Sequence, residues 1–273
     1  MNSSYESEEA LCALEDLIGR KEPVDTIGSL LSATSYQPNK SPPSVQGCAI
    51  CIDANVFIRL ATMDARAQVI DYLASLHKGP VIVSAQALQE VWNNYLNGVE
   101  TRAQEIKTKF ESLSKLVTDL DNEFATFSNR FNNLIDEFRN EFGHVYNPST
   151  SERVRTFIEM LKKRAVFSEV PRKRFETFAA VRKRTKTPPG FRDDGDGDYF
   201  IWLDFLYGLR LSQKRDTFDR AILVSDDRKI DWVKGGVAHP TLSAECATYV
   251  GVALEIWPIK RLVDATKDIT GAA

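Results

Sequence analysis

Four short apolar runs constrain the fold of this chain more than any other feature of its sequence. They are Cys48 to Ile52 (CAICI), Val81 to Ser84 (VIVS), Ala221 to Val224 (AILV) and Val252 to Trp257 (VALEIW). A strand with one wet face alternates apolar and polar residues, so runs like these suit strands covered on both faces, as in a parallel sheet between helices. Gly47 precedes the first run and Asp53 ends it; Gly79-Pro80 turns the chain into the second, and Ser225-Asp226-Asp227 ends the third. Helical patterns lie between them. One spans Val56 to Leu76, another begins near Ala85 with Leu88, Val91, Trp92 and Tyr95 on one side, and Tyr199 to Leu211 (YFIWLDFLYGLRL) is apolar almost all round, the mark of a buried helix. Strand, helix, strand, helix is the rhythm of a doubly wound α/β fold.

Residues 1–46 read as a separate leader and linker, and residues 47–273 as the main domain. The leader has an acidic amphipathic segment from Glu6 to Leu17, then Pro23, an apolar patch (Ile27, Leu30, Leu31) and a Ser/Pro/Asn stretch from Ser35 to Ser44. Docking on the body, binding an inhibitory partner and gating a site are all open to it. A helical insertion occupies about residues 100–165. Within it, Ala103, Ile106, Phe110, Leu113, Val117, Leu120, Phe124, Phe127, Phe131, Leu134 and Phe138 step by three and four, with no Gly or Pro from Val99 to Phe142. As one helix this stretch would reach ~60 Å, and a reversal near Asp121-Asn122 would make it a hairpin. Five Phe on one seam favour a protrusion packed on other helices over a free coiled coil, with a homodimer contact as the alternative.

The 273 residues, 43% hydrophobic and 27% charged, have the composition of an ordinary globular protein. No stretch approaches the roughly 18 apolar residues of a membrane helix, and Met1 to Ala10 carries acids where a signal peptide carries bases. A cytoplasmic protein with no membrane partner is expected. Cys12, Cys48, Cys51 and Cys246 are too scattered for a disulfide framework and are expected reduced. Cys48 and Cys51 have CxxC spacing, but on a strand they point to opposite faces, which suits core packing rather than zinc. His77, His144 and His239 show no ligand spacing, and no Walker loop, GxGxxG or GxSxG occurs.

Net charge is −3, unevenly distributed. Between Lys162 and Arg192 there are eleven Lys or Arg against two acids, Glu169 and Glu176, so this segment carries +9 and the remainder −12. Such a run is either a solvated helix face or a landing surface for phosphates beside an acidic centre. The candidates for nucleic-acid contact are Arg172, Lys173, Arg174, Arg182, Lys183, Arg184 and Lys186.

Acids recur at corresponding points of the expected sheet. Asp53 follows the first strand, Glu90 lies in the helix after the second, Asp198 opens the buried helix, and Asp226 and Asp227 follow the late strand. In open parallel sheets ligands bind beyond the carboxyl ends of the strands, where these acids would converge. Clustered carboxylates repel, and persist only when cations or protons neutralise them. With oxygen-only ligands the expected cation is Mg²⁺ or Mn²⁺, and two such ions suit phosphodiester cleavage. Each acid also has a plainer reading. Asp198 can cap a helix, Asp226 and Asp227 can be turn residues, and Glu90 can be a solvated helix residue. Asp194, Asp196 and Asp198 mimic the start of a calcium loop, but Tyr199 and Phe205 stand where its Gly and Glu belong.

Ile52-Asp53-Ala54-Asn55-Val56-Phe57-Ile58 resembles the opening motif of PIN-domain nucleases, an apolar strand ending in Asp with Asn or Ser two residues on. Val83-Ser84 followed by Glu90 is similar to the second PIN element. Gly197-Asp198-Tyr199 and Leu223-Val224-Ser225-Asp226-Asp227 resemble the third and fourth. The strings Pro188-Pro189-Gly190-Phe191-Arg192-Asp193 and Ser225-Asp226-Asp227-Arg228-Lys229-Ile230-Asp231-Trp232 resemble more specifically one PIN-like branch known as a domain of unassigned function. The resemblance covers about residues 47–260 and is weakest through the insertion. It implies a three-layer α/β/α sandwich with a central parallel sheet, and endonuclease activity on single-stranded RNA with Mg²⁺ or Mn²⁺. Asp53, Glu90 and Asp198 would be metal ligands, with Asn55 in support. The fourth acid falls on Asp227 by the PIN pattern, with Asp226 adjacent and open; Asp193, Asp194, Ser225 and Asp231 are outer candidates. The long insertion departs from compact toxin ribonucleases. Three functions follow: an RNA endonuclease, as a toxin or defence effector held by its leader or a partner; a flap-type DNA nuclease; and a catalytically silent module that binds nucleic acid or a partner.

Overall fold

The computed structural model describes residues 2–35, 44–62, 67–94, 100–119, 121–142, 149–227 and 229–270. Tyr95, Leu120, His144, Arg228 and most of the Ser35 to Ser44 stretch lie outside the described residues, as do the side chains of Ile58, Ala103, Ile106, Phe124 and Phe138.

The four apolar runs form strands β1 (Ala49–Ile52), β2 (Val81–Ser84), β4 (Arg220–Val224) and β7 (Ala253–Trp257), joined by β3 (Ala165–Ser168) in a five-stranded sheet. The order is β3-β2-β1-β4-β7 and every pairing is parallel. β3 is the strand that sequence reading passed over. It is a half-exposed edge strand of four residues directly after Lys162, Lys163 and Arg164, so neither a continuous apolar run nor clean alternation marks it. A short antiparallel hairpin, β5 (Val233–Lys234) with β6 (Val237–Ala238), forms a second, two-stranded sheet.

Alternation along the pleat sends each strand's side chains into two cores. Ala49, Cys51, Ala221, Leu223, Leu254 and Ile256 enter one core, packed by α1 (Asn2–Ile18), α9 (Arg172–Thr185), α10 (Gly197–Ser212) and α11 (Pro240–Val250). Cys48, Ile50, Ile52, Ile222, Val224 and Trp257 enter the other, packed by α3 (Ala54–Thr62), α4 (Ala67–Asp71), α5 (Ala85–Asn94), α8 (Ser149–Arg164) and α12 (Ile259–Thr270). This is a three-layer α/β/α sandwich, with Cys48 and Cys51 on opposite faces of the sheet. Among the described residues no helix is long and apolar enough to cross a membrane.

Two expectations are revised. The leader is not separate, because Ala10, Leu11, Leu14, Leu17 and Ile18 of α1 are buried in the first core beside α10 and α11. Among the described residues of the leader, α2 (Thr26–Thr34) keeps its large apolar residues Ile27, Leu30 and Leu31 exposed. The long seam takes the hairpin alternative, and it is its buried face that is revised. It forms α6 (Glu100–Asp119) and α7 (Asp121–Phe142), and the Ser114 hydroxyl donates to Asn132 Oδ1 at 3.2 Å. Residues eighteen apart would lie about 27 Å apart along one helix, so the chain reverses between them. The reversal resets the helical phase, and the buried stripe of α7 leaves the expected seam. Ile135 is 4% exposed, whereas the seam residues Leu113, Phe127 and Leu134 are 44%, 57% and 62% exposed. The insertion returns to the body through α8, where Phe157 packs on Phe57 with ring centroids 4.8 Å apart.

If α1 is part of the folded core, truncating its most enclosed residue must cost what a core truncation costs. Leu14→Ala is expected to lower unfolding stability by about 2–4 kcal/mol in urea titration, and a change under about 0.5 kcal/mol would show α1 to be dispensable.

Candidate active site

The chain runs β1, β2, β3 to one side of the first strand, then restarts on its other side with β4. Diverging connections leave a crevice at such a switch point, beyond the strands' carboxyl ends. Asp53 leaves β1 there, with its backbone N–H still donating to Val224 O at 3.0 Å, and Ser225 leaves β4 beside it. The Ser225 hydroxyl donates to Asp53 Oδ2 at 2.6 Å, Asn55 Nδ2 donates to the same oxygen at 2.9 Å, and the Ala54 N–H donates to Asp53 Oδ1 at 2.7 Å. Burial nevertheless pushes the Asp53 carboxyl above its ordinary range, against the lowering pull of the Ser225 and Ala54 donors, and the nearby Asp227 charge adds to the rise.

Glu90 arrives from α5. Gln86, one turn earlier, donates to Glu90 Oε1 at 3.1 Å, and burial, with the Asp53 charge adding to it, raises the Glu90 carboxyl. The carboxylate abuts the first residue of α10, Gly197, where a Cβ would fall 2.4 Å from Glu90 Oε1. Any larger residue there would push the Glu90 carboxylate aside, and the helix N-terminus that Gly197 opens favours an anion.

Asp198 follows on α10, and its Oδ2 accepts from the buried Trp232 Nε1 at 2.9 Å. Burial, together with a hydrogen bond shared with Asp193, pushes Asp198 up to about 7. Asp193 falls below its ordinary value despite burial, because Asp198 and Lys229 stabilise its charge. Gly190, at φ +78°, brings the loop so close that a Cβ would stand 3.0 Å from that of Asp198.

Asp227 and Asp226, adjacent in sequence, part company. Asp227 turns inward, its Oδ1 accepting from the Lys229 N–H at 2.8 Å and its Oδ2 facing the Lys229 ammonium at 3.1 Å. Asp226 turns to the other side, where Oδ1 accepts from the Ile259 N–H opening α12 at 2.9 Å and Oδ2 pairs with Arg59 at 2.6 Å. Asp231 is wholly buried and accepts from the Gly190 N–H at 2.9 Å, bracing the loop rather than facing the crevice. Asp194 is exposed, and its carbonyl accepts from Lys183 Nζ at 3.0 Å. The structure thus brings together Asp53, Glu90, Asp193, Asp198 and Asp227, and leaves Asp226, Asp194 and Asp231 outside.

A family profile described as a PIN like domain matches residues 49–239. The chain belongs to the PIN-like domain family. Searches of curated proteins and of solved structures returned no match. PIN-like domains are in general nucleases that act on nucleic acid and typically use divalent metal, and the PIN-like core here contains every acid of the crevice.

The donor set fits such a metal in kind. It is oxygen-only and strongly acidic, and three of its carboxylates already surround a cation, the Lys229 ammonium. Among the described residues no group of three or more His, Cys, Asp or Glu is set out as a ready ligand cage. Lys229 escaped sequence reading because one lysine in a polar turn carries no periodicity or spacing.

The basic run is also revised. Arg172 forks onto the buried Asp204, both nitrogens at 3.0 Å; Arg174 reaches Glu15 at 2.6 Å and Glu8 at 2.7 Å; and Arg182, itself buried, donates to Glu245 at 2.8 Å and to the Pro188 carbonyl. These three hold the fold together and are not free for phosphates. Lys183 pairs with Asp196 at 2.9 Å, while Lys173, Arg184 and Lys186 are exposed.

The raised Asp198 makes stability fall as pH rises. The folded chain holds a proton there up to about pH 7 that the unfolded chain releases near pH 4. In chelator, wild type is expected to lose about 1 kcal/mol relative to Asp198→Asn between pH 6 and pH 8. Paired thermal melts check this, and a pH-independent gap between the two proteins would refute it.

Proposed function

We propose that this protein is a metal-dependent endoribonuclease that hydrolyses phosphodiester bonds of single-stranded RNA in the cytoplasm. The observation that supports it above others is the meeting of Asp53, Glu90, Asp193, Asp198 and Asp227 at the switch point of the sheet. Burial raises Asp53, Glu90 and Asp198, as expected of carboxylates held for a cation and not for the fold. Acids that serve the fold here look different: Asp204 accepts from Ser84, the Gln86 and Val170 N–H groups and the Arg172 guanidinium, and so is neutralised without a metal ion.

Asp53, Glu90, Asp198 and Asp227 would hold Mg²⁺ or Mn²⁺, with Asp193 beside them. A bound divalent ion would supply charge neutralisation to the scissile phosphate and acidity to an attacking water. Asn55 and Ser225 orient Asp53 through its Oδ2. Lys173, Arg184 and Lys186 offer exposed charge for a phosphate backbone. RNA is favoured over DNA by the resemblance of the four motifs.

Purified protein with Mn²⁺ is expected to cut a single-stranded RNA internally and to leave DNA of the same sequence largely intact. Asp53→Asn and Asp227→Asn should each lower the rate by about a hundredfold or more, and Asp226→Asn by less than about tenfold. Undiminished cleavage by Asp53→Asn would overturn the assignment, and preference for the DNA strand would replace RNA by DNA as the substrate.

A further inference from the structure

Lys229 is built into the acid centre from both sides of its own backbone. Its N–H donates to Asp227 Oδ1 at 2.8 Å, and its carbonyl accepts from the N–H groups of Trp232 at 3.0 Å and Val233 at 3.1 Å. The buried Trp232 ring in turn anchors on Asp198. With the main chain pinned, the side chain extends into the crevice. There the ammonium stands 2.8 Å from Asp193 Oδ2, 3.1 Å from Asp227 Oδ2 and 3.2 Å from Asp198 Oδ2. An exposed lysine ordinarily gains little from one carboxylate and is free to leave it. Three carboxylates from two separate segments, the loop and first turn of α10 and the turn after β4, converge on this one.

We propose that the Lys229 ammonium takes the place of one of the two cations of a two-metal phosphodiesterase centre, so that this enzyme works with a single divalent ion. The inference rests on the nuclease reading above. Two-metal centres place their ions about 4 Å apart, bridged by shared carboxylates. Here Asp198 and Asp227 are the acids that would be shared, and on the Asp193 side their oxygens already face a tethered positive charge. Asp53 and Glu90 lie outside the three contacts of Lys229 and are left for the one mobile ion. A permanently attached cation keeps the aspartates in place before metal or substrate arrives. Lys229 is thus a positioning residue that acts through Asp193, Asp198 and Asp227.

Mn²⁺ binding to the full chain, followed by equilibrium dialysis with electron paramagnetic resonance of the free ion, tests this without an activity assay. Wild type and Lys229→Arg are expected to bind one Mn²⁺ per chain. Lys229→Met, which keeps the length and removes the charge, is expected to bind two. In chelator Lys229→Met should melt below wild type, and saturating Mn²⁺ should close that gap. Two ions bound by wild type, or one by a folded Lys229→Met, would overturn the proposal and leave the nuclease reading standing. No Mn²⁺ bound by any of the three proteins would remove both. Should Lys229→Met not fold, the wild-type count decides: one ion supports the proposal and two overturn it.

Discussion

The architecture turns on holding like charges together. Five carboxylates meet beyond the carboxyl ends of β1 and β4 in a largely apolar sheet, and in partly buried surroundings their repulsion would push the segments carrying them apart. The fold contains that repulsion locally. Ser225, Asn55 and the Ala54 N–H quiet Asp53, Gln86 and the start of α10 receive Glu90, and Lys229 and a shared proton serve Asp193 and Asp198. Asp53 and Ser225 directly follow β1 and β4, and Asp198 lies in the first turn of α10, so the adjacency of β1 and β4 in the sheet sets much of the geometry of the centre.

Charge is used differently a few ångströms away. Asp204 ties the ends of β2 and β3 to α10 through Ser84, the Gln86 and Val170 N–H groups and Arg172. Glu245 gathers Arg182, Trp202 and, from the start of the chain, Arg20. A buried carboxylate with this many donors is a rigid joint, and removing one partner would leave an uncompensated charge. Both joints engage α10, the helix that presents Asp198, one through Asp204 on it and the other through Trp202. They also engage arginines of the basic run, which explains how a segment of net charge +9 fits into an ordinary sandwich.

Much of the fold was legible because it depends on local pattern. CAICI, VIVS, AILV and VALEIW announced four buried strands, and YFIWLDFLYGLRL a buried helix, since burial on all sides leaves no room for polar alternation. The helical insertion was legible as helix, but its buried face was not. Steps of three and four specify a stripe only while the helix is unbroken, and the reversal before α7 moves Ile135 inward and Phe127 outward. β3 carried too weak a pattern to see, and α1 was amphipathic without any sign of what its apolar face covers.

By itself the sequence marked the candidate acids and placed Asp53, Asp226 and Asp227 just after apolar strands and Asp198 at a helix start, because an acid after an apolar run is a local feature. It could not separate Asp226 from Asp227, nor assign partners to Arg172, Arg174, Arg182 and Lys229. Those choices depend on which groups from distant segments stand within about 3 Å, and only chain packing sets that distance. One residue of rotation at the end of β4 sends Asp226 to Arg59 and α12, and Asp227 to the crevice. Composition counted Arg182 among candidates for phosphate, and tertiary structure placed it in the core against Glu245, where a buried carboxylate demands a cation and a distant phosphate cannot compete.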